Sequence, residues 1–151
     1  MPRVKATQLS NLVLAVFRLN GVLTDWGNDF VAPEGLSSAR WQMLGAVAIA
    51  GRSLTVPQIA AHMGMTRQGA QKQVNLLVQD GLMQSIPNPM HQRSPLYELT
   101  KQGSTVYAAI YERWVAHAIK TAAKVKGMDL EAATQILETL AGAYAEETGE
   151  K

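Results

Sequence analysis

The chain has 151 residues, 47% of them hydrophobic and 17% charged, with a formal net charge of +2 and no cysteine. That length fits one compact domain, or one domain with a helical extension, and the apolar content excludes disorder except at the ends. The absence of thiols excludes disulfides, cysteine zinc sites and a thiol redox switch. No apolar run is long enough to cross a bilayer and no apolar block follows residues 1–5 as in a signal peptide, so a cytoplasmic protein without membrane association is expected.

In chain order, Leu9, Leu12, Val13, Val16, Leu19, Leu23, Trp26 and Phe30 keep a three-and-four spacing over about six turns, which predicts a long amphipathic helix despite Gly21 and Gly27. Ala32-Pro33-Glu34-Gly35 ends it. Ser37 is the expected N-cap of a second helix running through Ala48, with Leu36 and Trp41 as a hydrophobic staple and Met43, Leu44 and Val47 facing inward. Gly51 is its stop. A third helix of about two turns has Pro57 in its first turn, where the missing N–H costs nothing, Ile59, Ala60 and Met63 on one face, and Gly64 at its end. Thr66 is the expected N-cap of a fourth helix that begins near Arg67, carries the apolar stripe Ala70, Val74, Leu77 and Val78, and stops at Asp80-Gly81.

Residues 82–86 and 96–99 read as two short strands. Prolines 87, 89 and 95 suit the ends of an exposed hairpin, because proline cannot donate to a ladder and is tolerated at edges. The tip carries His91, Gln92 and Arg93 and is expected to hold nothing apolar that needs burial. Thr100 caps a long helix with the stripe Val106, Tyr107, Ile110, Trp114, Val115, Ala118, Ile119 and Ala122, closed by Gly127. Asp129 caps a last helix with Leu130, Ala133, Ile136, Leu137, Leu140 and Tyr144 on one face, after which an acidic tail is expected to fray.

The polar face of the fourth helix, Arg67, Gln68, Gln71, Lys72 and Asn75 with Gln79 behind, is chemically suited to nucleic acid. Arginine pairs bidentately with guanine, and glutamine or asparagine with adenine. Gly69 and Ala70 add little bulk, so the first turn is able to approach a groove floor closely. Stripes of this composition are often only solvated surface, and the neighbouring hairpin is what favours a reader: Arg93, His91 and Gln92 are placed as a wing beside a recognition helix, able to reach a minor groove or a phosphate. Charge follows the same division. Residues 37–101 hold six cationic and two acidic side chains, for a net +4, whereas residues 1–36 balance and residues 102–151 carry a net −2. Positive charge is thus concentrated where phosphate attraction would need it.

The segments LSSARWQMLGAV, LTVPQIAAHMGMTRQGAQKQVNLLVQDGLM, PNPMHQRS and LTKQG, in this order and spacing, resemble the MarR family of winged-helix transcription regulators over nearly the whole chain. The resemblance implies a mainly α fold with a small β-hairpin wing: a winged helix-turn-helix region, residues 37–101, between an N-terminal dimerisation helix, residues 1–36, and C-terminal dimerisation helices, residues 102–151. It implies that Thr66, Arg67, Gln68, Gln71 and Lys72 face a major groove and that Arg93, with His91 beside it, serves the wing. In the family an aspartate usually stands two positions before the wing arginine, where it would brace that guanidinium. This chain has His91 there, which braces it less when neutral and repels it when protonated.

Long apolar helices at both ends exceed what a small reader can cover, so a homodimer is expected, with Leu9, Leu12, Val13, Val16, Ile136, Leu137 and Leu140 at its interface. The alternative is that these helices pack on each other within one chain. A dimer would set two reading helices about one DNA turn, roughly 34 Å, apart and favour an inverted-repeat operator in double-stranded DNA. The resemblance further implies a small lipophilic or phenolic anion as effector, for which Trp41, Tyr107 and Tyr111 are the candidate contacts, although all three also suit a core. No cofactor is expected. His62, His91 and His117 fall on different elements and do not form a metal-ligand spacing, and no HExxH pair, phosphate-binding glycine loop or nucleophile elbow supports an enzyme. Besides a ligand-responsive DNA-binding repressor, a winged-helix module that binds protein remains open.

Overall fold

The computed structural model describes residues 1–149. The chain divides into two compact units, Met1–Glu112 and Arg113–Lys151. The first begins with α1, Pro2–Phe30, a helix of 29 residues with proline at its start, where the lost N–H has no helical acceptor. It spans about 44 Å at 1.5 Å per residue. Along it only Gly27 is buried, and the reason is a close approach: a β-carbon there would collide with the hydroxyl of Ser38, the first residue of α2, Ser38–Ala50. That hydroxyl donates to the Thr24 carbonyl at 2.6 Å, and the Ser38 N–H donates to Asn28 Oδ1 at 2.8 Å. Gly27 therefore marks the docking point of α2 on α1, despite its cost to helix propensity.

Between them Val31 is buried and Ala32–Glu34 form a single 3₁₀ turn. Ser37 caps α2 by accepting the Arg40 N–H at 3.3 Å. The helix continues to Ala50, two residues beyond the expected end, and Met43 and Leu44 lie wholly in the core. Next comes α3, Val56–Met63, with Pro57 in its first turn. It opens with a capping box: Thr55 accepts the Gln58 N–H at 3.3 Å while Gln58 Oε1 accepts the Thr55 N–H at 2.9 Å. Gly64 then turns the chain with φ of 63°, a conformation that L side chains avoid. Thr66 caps α4, Arg67–Gln79, by accepting the Gly69 N–H at 3.0 Å.

On α4 the buried stripe is Ala70, Val74 and Leu77. Val78, expected in that stripe, is 39% exposed, because the next residue after Leu77 rotates about 100° away from the inward face. The hairpin pairs β1, Met83–Ile86, with β2, Leu96–Leu99, antiparallel and with Met83 opposite Leu99. The first strand starts at Met83 and not at Leu82, whose carbonyl instead accepts the Thr100 N–H at 3.1 Å. A third segment joins the sheet through one residue: Leu54 exchanges backbone hydrogen bonds with Tyr97 at 3.1 and 2.7 Å. The core gathers Leu36, Met43, Leu44, Leu54, Ile59, Val74, Leu77 and Met83 from helices and wing together, and the result is a winged helix-turn-helix.

Following β2 is α5, Lys101–Ala122. Thr100 caps it as expected, accepting the Gly103 N–H at 3.0 Å and donating to the Gly81 carbonyl at 2.6 Å. Gly103 packs directly on the Leu82 carbonyl, leaving no room for a β-carbon.

Within the second unit, α5 ends in a 3₁₀ turn at Ala123–Val125, and Gly127 follows with φ of 85°. Asp129 caps α6, Leu130–Thr148, by accepting the Ala132 N–H at 3.0 Å. The fraying expected after Tyr144 is not observed: α6 continues through Glu146 and Glu147 to Thr148, and only the last two residues of that tail lie outside the described residues. No residue of α6 is buried, and Ile136 and Leu137 are exposed.

Candidate nucleic-acid interface

Arg67, Gln68, Lys72 and Asn75 are exposed on one side of α4, opposite the stripe that holds the helix in the core. Gln71 lies half-buried among them. Its amide donates to Asn75 Oδ1 at 2.8 Å, one turn along the helix, and reaches the Tyr97 hydroxyl at 3.5 Å. Two of the expected base-reading amides thus form a pair, and Gln71 retains its carbonyl as acceptor. The Thr66 hydroxyl accepts the helix cap, which leaves its proton for an outside acceptor.

The wing is ordered by a residue that sequence reasoning passed over. Asn88 accepts the Met90 N–H on its side chain at 3.0 Å, donates from Nδ2 to the Ser94 carbonyl at 2.9 Å, and accepts the His91 N–H on its backbone at 3.2 Å. This Asx turn ties the loop together through Asn88 and backbone groups, without using the His91 side chain. The tip is also less polar than expected, since it carries Met90, which is 89% exposed. His91 and Arg93 are exposed beside it.

Between α4 and the wing lies a cleft of about 340 Å³ lined by Val56, Pro57, Arg67, Gln68, Gln71, Arg93, Ser94, Pro95 and Tyr97. Two guanidinium-bearing residues from different elements border it and no carboxylate does. Elsewhere, Arg40 pairs with Asp80 at 3.1 Å, tying the start of α2 to the end of α4 and diverting one of the six reader cations to structure. Tyr97 is the contact that sequence reasoning missed here. Its ring belongs to the core while its hydroxyl faces Gln71, and it is held between the hairpin partner Ser85 and the Leu54 bridge.

The three candidate effector contacts do not line one cleft together. Trp41 stacks in a tilted arrangement with Phe30, 5.5 Å between centroids, and Phe30 in turn stacks on Trp26 at 4.6 Å. Tyr107 packs against Gly45 and lies 6.3 Å from the Tyr111 ring. Burial, with Tyr111 adding to it, raises the Tyr107 phenol above the ordinary tyrosine range. Tyr107 also borders a second cleft of about 370 Å³ with Val47, Arg52, Glu98 and Leu99, whereas Trp41 and Tyr111 do not line it.

His62 and His91 occupy the end of α3 and the wing tip, and His117, in the other unit, packs on Trp114 and lies 3.2 Å from the Thr121 hydroxyl. Among the described residues no three histidine, aspartate or glutamate side chains gather as a metal site, and no helix is long and apolar enough to cross a membrane.

The sequence matches a profile described as MarR family over residues 34–94. Uncharacterized proteins of Mycobacterium tuberculosis and Mycobacterium bovis are 46% identical to it over 106 residues, 70% of this chain and 73% of theirs. Among solved structures, a MarR family transcription regulator is 25% identical and matches 97% of both chains with a TM-score of 0.72. A mutant MarR from Escherichia coli, crystallised with operator DNA, shares the fold at 15% identity, with 91% of this chain and 96% of that one covered and a TM-score of 0.68.

Proposed function

This chain belongs to the MarR family of winged-helix transcription regulators, and from that membership we propose that it is a non-enzymatic, cytoplasmic DNA-binding regulator that represses transcription as a homodimer on an inverted-repeat operator. The observation that carries the reading is the joint exposure of the α4 polar face and the wing on either side of one cationic cleft. Thr66, Arg67, Gln68, Gln71, Lys72 and Asn75 form the surface offered to a major groove, and His91 and Arg93 the wing's contacts. Support for the dimer comes from the apolar side chains left uncovered: Leu9, Val16, Leu19 and Leu23 on α1 and Ile136 and Leu137 on α6 are each 39% exposed or more. Single exposed leucines are ordinary, but a run along one helix marks an association surface.

An effector is part of the proposal. The cleft beside Tyr107 is the candidate place, and a lipophilic or phenolic anion there would act only through unequal affinity for two dimer geometries. The test is selection of bound fragments from random duplex DNA by purified protein, followed by binding measurements over a range of salt. Recovery of one palindrome, bound with a steep salt slope and a preference kept at every ionic strength, is the expected result. Equal binding of all polyanions, or retention of a protein ligand in high salt with no chosen duplex, would favour the protein-interaction module instead.

A further inference from the structure

We propose that the cleft between α4 and the wing is a clamp for one backbone phosphodiester, gripped by Arg67 from the helix and Arg93 from the hairpin together; this rests on the DNA-binding reading above. In B-form DNA a single sugar-phosphate strand separates a major groove from the adjacent minor groove. A protein with a helix in one and a hairpin beside the other must straddle that strand, and the space between helix and hairpin is where it passes. Here that space is bordered by Arg67, Arg93 and Ser94, with no acidic residue to oppose a phosphate. Among the described residues neither guanidinium is committed to a protein acceptor.

His91 stands where an aspartate would brace the guanidinium, and Arg93 borders the cleft it shares with Arg67. Arginine suits this task because its planar fork can take two phosphate oxygens at once. Base selection then falls to Gln68, Gln71, Lys72 and Asn75, and Arg67 becomes a positioning contact.

The test uses the full-length protein, its selected operator, and a scrambled duplex of equal length. Each neutralised phosphate contributes about 0.9 to the slope of log affinity against log salt, or roughly threefold in affinity between 50 and 200 mM. Arg67→Ala and Arg93→Ala should each weaken both duplexes alike and leave the ratio between them unchanged. The dimer would carry one clamp in each half-site, so the double variant should lower the slope by no more than about 1.8 in total, about 0.9 for each half-site, because neither phosphate can be neutralised twice. A methylphosphonate placed in each half-site at the position between the two grooves should weaken the wild type and have no further effect on the double variant.

Slopes that fall by separate increments for the two arginines would overturn the shared clamp, as would loss of preference at one base pair in Arg67→Ala. Chemical-shift changes at both arginines with inorganic phosphate, together with a silent methylphosphonate, would overturn it in favour of a free-anion site. Each of these requires a wild type that selects an operator, so failure of the clamp is distinguishable from failure of the regulator reading.

Discussion

Gln71 shows how one side chain can join two parts of a reader. It stands on α4 among exposed polar residues, yet its amide is engaged by Asn75 and faces the Tyr97 hydroxyl of the wing strand. A side chain held this way presents its carbonyl in a fixed direction, which is what discrimination between bases requires. Replacing Gln71 by Ala is expected to relax preference at one position in each half-site, at a cost of about 1–3 kcal/mol on the preferred sequence, measured by competition among single-base variants of the operator. Uniform weakening across those variants would contradict a base-reading role. Tyr107 offers a second residue-level measurement. Burial keeps its phenol protonated in the folded chain at pH values where the unfolded chain has begun to ionise, so the stability it contributes is complete below about pH 10 and declines as pH rises above that. Denaturant titration should show the decline, and Tyr107→Phe should reduce it.

Elements meet here through residues chosen for what they lack. Gly103 lets the first turn of α5 lie on the Leu82 carbonyl, so that the hairpin returns directly into the helix, with Thr100 closing the junction by a cap and by a bond to Gly81. Gly103→Ala introduces a β-carbon with nowhere to go, and overpacking of this kind costs about 1–3 kcal/mol or more. The expected outcome is a lower unfolding midpoint at unchanged denaturant sensitivity. An unaltered midpoint would show that α5 can shift away from the wing without penalty. The caps themselves were legible in advance. Ser37, Thr66, Thr100 and Asp129 each accept an N–H three residues ahead, an arrangement that depends on residues within one turn. Thr55-Val56-Pro57-Gln58 carries the same signal as a full capping box and was equally readable.

The whole molecule is defined as much by what its helices leave uncovered as by its core. Residues on α1 that keep the apolar period, Leu9, Val16, Leu19 and Leu23, are exposed, and Leu12 and Val13 only half-buried. The same holds on α6 for Ile136 and Leu137, with Leu140 half-buried. Val16→Asp places a charge within the α1 face, where burial of an unpaired carboxylate is strongly unfavourable. Sedimentation is expected to show monomers or loss of soluble protein for this variant, together with loss of operator binding at concentrations where the wild type is saturated. A well-folded Val16→Asp dimer would remove α1 from the interface.

Helix starts and stops, the glycine turn between α3 and α4, and the polar face of α4 follow from neighbours a few residues apart along the chain, and those interactions are complete before any packing occurs. Other features require contacts between distant segments. The Leu54 bridge to Tyr97 joins residues with no shared local pattern and turns that hydroxyl toward Gln71, while Gly27 and Gly103 acquire their purpose only from the elements that press against them. Val78 left the predicted stripe for the same reason, because the exact inward face of a helix is set by what it packs on. The cationic cleft belongs to this second class: Arg67 and Arg93 are 26 positions apart, and only the return of the hairpin beside α4 gives them a common space.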